Sequence, residues 1–274
     1  MNKRNLITSI LVPFMKFLPK TSGIVVITLH NIEPIYYKWF SKLIDQLSSK
    51  FEFINFEDFE KYRDCDDIKI LLTFDDGFYS NRYVAEKYLS KHDIKALFFI
   101  TEGFIELFKE DSYNFSKRNF YPNSNIETKK NFLNAMSWDD IAWLIEKGHS
   151  IGAHTQTHPK LNTLDNNSLY EEIISSTNRI EKRLGIDINT FAFPFGTPEY
   201  IDKNSLEIGK EKFKYIFSNV RGDINSSPSN YFIFRQNIVP GDSIKFIESI
   251  IEGKMDWKYK KMQKNSASIL GLDS

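Results

Sequence analysis

Uninterrupted apolar runs of strand length recur along the chain, and each ends abruptly in polar residues. The first, Ile24-Val25-Val26-Ile27-Thr28-Leu29, stops at His30-Asn31. The second, Ile68–Phe74, stops at Asp75-Asp76-Gly77, and Ala96–Ile100 is a third. Continuous β-branched and apolar runs mark strands buried on both faces, as in a parallel sheet. Between them the apolar residues change to helical spacing. Phe40, Leu43, Ile44 and Leu47 predict a helix over 36–49, and 81–91 reads as another. Ser137, with Asp140 three residues on, forms a capping box for a helix that carries Ile141, Trp143, Leu144 and Ile145 and ends by Gly148. A short strand over 150–153 leads into His154. A helix over 168–184 is closed by Gly185, and a strand over 190–193 runs into Pro194-Phe195-Gly196. Helix 206–215, short strands 216–218 and 231–234, and helix 243–251 complete the series. The stretch 101–136 breaks this rhythm: it is polar, Asn-rich and too long for an ordinary connection, which predicts an insertion or lid with helices of its own.

Alternating strands and helices predict an α/β domain of mainly parallel strands, either barrel-like or doubly wound. The domain spans 24–253, preceded by a segment over 1–23 and followed by a loosely held tail over 254–274. The polar residues that interrupt the runs all fall just past the C-terminal ends of predicted strands, the edge that carries the active site in such folds.

Composition narrows the function. Apolar residues make up 41% and aromatics 15%, enough for a folded core that absorbs most of the aromatic rings. The 36 basic and 36 acidic residues cancel, so no global field draws the chain to nucleic acid. Cys65 stands alone, which excludes an internal disulfide. At the N-terminus, Lys3 and Arg4 precede a short apolar run interrupted by Lys16 and Lys20. It is shorter than the ~20 residues needed to span a bilayer, and no small-x-small cleavage site follows it. The segment is expected to be amphipathic and to pack on the domain, with peripheral membrane contact through 1–20 as the second reading. The expected location is cytoplasmic or inner-membrane-associated, with export left open.

Two clusters carry chemistry. Leu71 to Gly77 delivers adjacent carboxylates to a sheet edge, where two anions repel unless a cation or proton separates their roles. His154-Thr155-Gln156-Thr157-His158 places two imidazoles four residues apart, a spacing that on a helical turn lets both converge on one ion. One Asp with two His suits Zn²⁺ or another divalent transition metal with open positions for water and substrate.

Thr73-Phe74-Asp75-Asp76-Gly77, His154-Thr155-x-Thr157-His158 and Phe193-Pro194-Phe195-Gly196, in that order, resemble the motifs of the polysaccharide deacetylases (NodB-like, carbohydrate esterase family four). The resemblance covers roughly residues 24 to 253. It implies a distorted (β/α) barrel that removes N-acetyl, sometimes O-acetyl or N-formyl, groups from carbohydrates. It also implies one divalent ion held by Asp76, His154 and His158, with Asp75 as the base. A backbone N–H near Phe195, after Pro194, would hold the oxyanion.

Two departures from the family pattern stand out. Most members carry an Arg two residues before the motif proline, where this chain has Ala192. The family's late Leu-x-His motif is also missing, since no histidine follows His158. Both features resemble the poly-N-acetylglucosamine deacetylases of biofilm matrices, in which Leu29-His30-Asn31 would supply the general acid as His30. Arg235, in Phe234-Arg235-Gln236-Asn237-Ile238, is the candidate to replace the missing Arg beside Asp75. The expected function is metal-dependent N-deacetylation of an amino sugar in a cell-surface polysaccharide or its precursor. Deformylation or deacetylation of a small amino-sugar conjugate is the alternative, and a non-catalytic carbohydrate-binding relative a third reading. His92 reads as a solvated residue at a helix end, His149 as structural, and Trp138 and Trp143 as core residues. Asp223 falls where the family often has a supporting Asp, with a poor local match.

Overall fold

The two longest apolar runs lie side by side in one sheet. The structure, a computed structural model, describes residues 21–107, 109–122, 124–125, 127 and 132–271. The segment 1–20, with its predicted membrane contact, lies outside the described residues. The strands are β1 (Gly23–Leu29), β2 (Glu52–Phe53), β3 (Ile68–Phe74), β4 (Ala96–Ile100), β5 (Ser150–Ala153), β6 (Thr190–Ala192), β7 (Tyr215–Phe217) and β8 (Gln236–Asn237). Their order is β7-β6-β5-β4-β3-β1-β8, with β2 pairing β3. Every pairing is parallel, and β1 meets β3 along its whole length, from Gly23 opposite Ile68 to Leu29 opposite Phe74.

The sheet curls because one short segment touches both of its edges. Ile233 bridges Phe217 of β7, while Gln236 and Asn237 pair with Ile27 and Thr28 of β1. The result is a distorted (β/α) barrel. Side chains alternate across it: Val25, Ile27 and Leu29 pack outward against the helices, whereas Ile24, Val26, Leu71, Leu97, Phe99 and Phe217 fill the interior. The continuous apolar runs follow from this two-sided burial.

Several local expectations need correction. Segment 231–234 is not a strand; Ile233 makes an isolated bridge, and pairing resumes at Gln236. The helix expected over 206–215 is Lys203–Lys210, begun earlier by the capping box of Asp202 and Ser205, and Tyr215 opens β7. The tail is not loose. Lys260–Ile269 is a helix, Gln263 Nε2 donates to the Arg221 carbonyl, and Leu270 is buried. The insertion does hold helices, Glu102–Ile105 and Lys109–Asn119, around an apolar cluster of Phe78, Phe104, Phe115 and Leu133. Ser137 and Asp140 make the predicted capping box. No helix among the described residues is long and apolar enough to cross a membrane.

Candidate active site

Four strand ends converge on one cleft. Leu29 leads to His30, Phe74 to Asp75 and Asp76, Ala153 to His154, and Ala192 to the Pro194-Phe195-Gly196 turn. Backbone bonds hold the exits in register: Asp75 N–H donates to the Leu29 carbonyl, Thr101 N–H to Asp76, and His154 N–H to Ile100. The β1 exit is also fastened to the helix Tyr79–Val84. Asn81 Nδ2 donates to the His30 carbonyl, Ser80 Oγ to Asn31 Oδ1, and Ile32 N–H to Ser80 Oγ.

Asp75 and Asp76 point to different partners. Asp75 is almost fully buried and bound by both arms of Arg235, Nη1 to Oδ1 and Nη2 to Oδ2, each at 2.8 Å. Arg235 comes from the segment that closes the barrel. It is fully buried and reaches the top of the interior over the Phe99 ring, where Nε donates to the Ser218 carbonyl and Nη1 to Thr28 Oγ1. Ala192, at the family's usual Arg position, packs in the same interior. Burial alone would raise the Asp75 carboxyl; the charge of Arg235 and its paired hydrogen bonds outweigh that and hold it far below the ordinary carboxylate range. His30 Nε2 lies 3.9 Å from Asp75 Oδ2, with about a third of the His30 side chain exposed to the cleft.

Asp76 turns the other way, with φ +77°, and its Oδ1 is buried with no hydrogen-bond partner. His154 Nε2 lies 3.5 Å from that oxygen and His158 Nε2 3.6 Å. Both imidazoles are oriented by carbonyls at their other nitrogen: His154 Nδ1 meets Ala192 O at 2.8 Å and His158 Nδ1 meets Asn119 O at 3.3 Å. Their Nε2 lone pairs are thereby aimed at Asp76. Burial lowers His158 to about 4, so it is a neutral donor at ordinary pH. Ligand atoms of the three residues lie within 4.8 Å of one another. An orphaned carboxylate oxygen and two oriented imidazoles fit a single divalent ion.

The two histidines converge from a loop and not from a helical turn. Thr155 and His158 both have positive φ, +66° and +60°. Of the five non-glycine residues in this region of backbone space among the described residues, four (Asp76, Thr155, His158 and Phe195) belong to the site. Such conformations cost roughly 1–3 kcal/mol each and persist only where neighbours over-determine them. The neighbours are identifiable. Glu172, buried in the long helix after the loop, accepts from the N–H groups of Gln156 and Thr157 and from Thr157 Oγ1. It sits within a π turn, Glu171–Ser175, that interrupts that helix. Glu102 and Gly103 donate their backbone N–H groups to the carbonyls of Thr155 and Gln156. Neither Glu172 nor Asn119 was singled out from sequence. Glu172 carried a signal, a charge between Leu169, Ile173 and Ile180 on an apolar helix face. Asn119 had none, because its contribution is a backbone carbonyl.

On the far wall, Phe120 and Phe195 press on the two sides of His158, with ring centroids 4.9 and 4.6 Å away. Phe195 is in left-handed conformation, and Gly196 follows with a backbone so close to Asn219 that a Cβ would meet its nitrogen at 2.5 Å. The Phe195 N–H has no acceptor among the described residues. The cleft in front of these groups measures 480 Å³ and is also lined by Tyr36, Tyr121 and Tyr200. Asp223 lies apart, accepting from Ser226 N–H in a turn. His149 is structural: it is buried, lowered to about 4 by that burial, and accepts from Ala96 N–H.

The family model described as polysaccharide deacetylase matches residues 63–212, more than half of the 274. The chain belongs to the polysaccharide deacetylase family. Its members are carbohydrate deacetylases, metal-dependent hydrolases, and the chain has the matching fold. Deacetylase PplD from Streptococcus pyogenes, solved with acetate, superposes with a TM-score of 0.66 at 17% identity, over 85% of this chain and 100% of that one. IcaB from Ammonifex degensii gives 0.63 at 22%, over 85% and 98%. A de-N-acetylase from Aggregatibacter actinomycetemcomitans gives 0.62 at 15%, over 84% and 100%. No curated protein matches the chain in sequence. The family match includes Asp75, Asp76, His154 and His158 of this deacetylase but neither His30, before it in sequence, nor Arg235, after it.

Proposed function

We propose that this deacetylase removes N-acetyl groups from an amino sugar of a cell-surface polysaccharide or its precursor. One observation carries the reading: a buried, unbonded Asp76 oxygen faces two oriented imidazoles, directly beside a carboxylate locked by Arg235. Asp76, His154 and His158 hold one divalent ion, for which Zn²⁺ is the first choice on donor type. When bound, it polarises the acyl carbonyl and makes water more acidic.

The chain's own residues supply the rest. Asp75 stays ionised and accepts the proton of the attacking water, with Arg235 fixing its two oxygens. The Phe195 N–H donates to the carbonyl oxygen as it gains negative charge. His30, exposed to the cleft and 3.9 Å from Asp75, delivers a proton to the departing amine nitrogen. The ordering is chemically reasonable because an amine leaves poorly unless protonated. Ala192 in place of the usual Arg, and Leu29-His30-Asn31 at the end of the first strand, resemble the poly-N-acetylglucosamine deacetylases and support a substrate of that kind.

The test is acetate release by purified protein, with and without added Zn²⁺, from N-acetylglucosamine oligomers and acetylated nucleotide sugars. Metal-stimulated release from the oligomers is expected. No release from any substrate by protein with metal bound would overturn the reading.

A further inference from the structure

The helix Lys260–Ile269 turns one face to the domain and leaves a basic face in solvent. Gln263 bonds the Arg221 carbonyl, and Ser266 and Leu270 are buried. At about 100° per residue the opposite side carries Lys261 and Lys264, with Lys260 at its edge, all three exposed. From 254 to 264 the sequence has five lysines, Lys254, Lys258, Lys260, Lys261 and Lys264, against one acidic residue, Asp256. Asp256 is engaged by Gln236, whose Nε2 donates to Oδ1 at 3.2 Å. Lys254 pairs with Glu252; the other four lysines have no ion-pair partner among the described residues. In a chain whose charges cancel overall, this is a concentrated positive patch.

Two large apolar side chains stand among these lysines. Trp257 is 53% exposed and Met262 41%. Contacts place them on one surface: Lys258 Nζ lies 5.4 Å from the Trp257 ring centre, and Lys258, Lys261 and Met262 line one 450 Å³ hollow with Pro198. Glu199, also in its wall, accepts from Thr197 Oγ1. An anionic glycan would account for the lysines alone. Exposed Trp and Met ringed by lysines fit a lipid–water interface, where the apolar groups enter the headgroup layer and the ammonium groups meet anionic headgroups. We propose that Trp257, Lys258, Lys261, Met262 and Lys264 dock the protein on an anionic lipid surface. The site is separate from residues 1–20, and it stands or falls independently of the activity proposed above. The hollow's other wall, 197–199, leads directly to Tyr200, which lines the cleft and packs on Phe195 at 4.9 Å. Docking therefore holds the cleft within one loop of the lipid surface.

The test is partition of the full chain onto vesicles of phosphatidylcholine, alone or mixed with phosphatidylglycerol. Binding is expected only with the anionic lipid and should weaken as salt rises. The triple variant Lys258→Gln, Lys261→Gln, Lys264→Gln and the single variant Trp257→Ala should each partition roughly tenfold more weakly, with Tm unchanged. Residues 1–20 are the same in every variant, so their contribution cancels. Brominated acyl chains should quench the tryptophan fluorescence of the bound wild type, and Trp257→Phe should keep the partition but lose the quenching. No binding by wild type, equal binding to both lipids, or undiminished binding by the variants would overturn the proposal. Dependence on the lysines but not on Trp257, with equal binding to a soluble polyanion such as dextran sulfate, would assign the patch to a polyanion and overturn it as well.

Discussion

Asp75 and Asp76 are neighbours in the chain, yet their surroundings give them opposite tasks. Asp75 faces the barrel interior and a guanidinium; Asp76 swings through positive φ to face two imidazoles. Spacing alone identified the pair and the histidines as a metal-type cluster, but not which carboxylate bound what. That distinction depends on backbone conformation and on Arg235, which is 160 residues away from Asp75 in sequence. Replacing Arg235 with Ala leaves burial as the dominant influence on Asp75, so its pKa rises. A base with a higher pKa is protonated at higher pH, and the acid limb of kcat/KM should move upward. The wild-type carboxyl, being depressed, adds stability above its unfolded value that is lost only as pH falls through the native one. Stripping one partner from this buried pair should also cost ~3–5 kcal/mol, read from denaturant melts. A fixed acid limb would show that Arg235 does not tune the base. His30→Ala separates the other role. Acetate release from the amide substrate should fall at least 100-fold, but hydrolysis of an aryl acetate, whose phenolate leaves without protonation, far less. Equal losses on both would remove His30 as the acid.

At the level of elements, the strands and most helices were readable because burial on both faces leaves unbroken apolar runs and amphipathic helices leave a regular stripe. The backbone of the His154–His158 loop was not legible from spacing, for a physical reason. Spacing of four fits a helical turn, but it fits equally a loop whose left-handed residues are held by bonds from elsewhere. Those bonds come from Glu172, from the Glu102–Ile105 helix and, for His158, from Asn119 in the insertion. The region that looked like an insertion or lid thus supports the candidate metal site. Glu172→Gln tests the arrangement: an amide would present a donor where Gln156 N–H, Thr157 N–H and Thr157 Oγ1 all donate. Loss of such support to a metal ligand lowers affinity by roughly 10–100-fold, and chelator competition would measure it. Unchanged affinity would mean that the loop holds its shape without Glu172.

For the molecule as a whole, the least legible feature is the closure of the barrel. The closing segment offers Arg235 and Gln236 as buried polar residues where a strand pattern calls for apolar ones, so the apolar 231–234 drew the strand prediction instead. The C-terminal helix was missed for a related reason: Lys260 to Ile269 is rich in Lys and Ser, with few large apolar residues to mark a buried face. The two omissions are connected in space. Gln263 Nε2 bonds the Arg221 carbonyl at 2.7 Å, and the Arg221 guanidinium in turn bonds Gln236 Oε1 and the Asn237 carbonyl of β8. The tail therefore braces the strand that follows Arg235 directly. Deleting residues 260–274 removes that brace and the buried Leu270, whose burial is worth about 1.5–3 kcal/mol. Each kcal/mol in a chain of this size moves Tm by about 2–4 °C, so a drop of about 5 °C or more is expected. The effect on function should be selective. Asp76, His154 and His158 hang from β3, β5 and the insertion, so Zn²⁺ affinity should hold, whereas kcat/KM should fall as Arg235 loses its fixed grip on Asp75. A truncated protein with full Tm and full turnover would show that the closure stands without the tail. Loss of metal affinity in step with activity would show that the barrel fails as one unit.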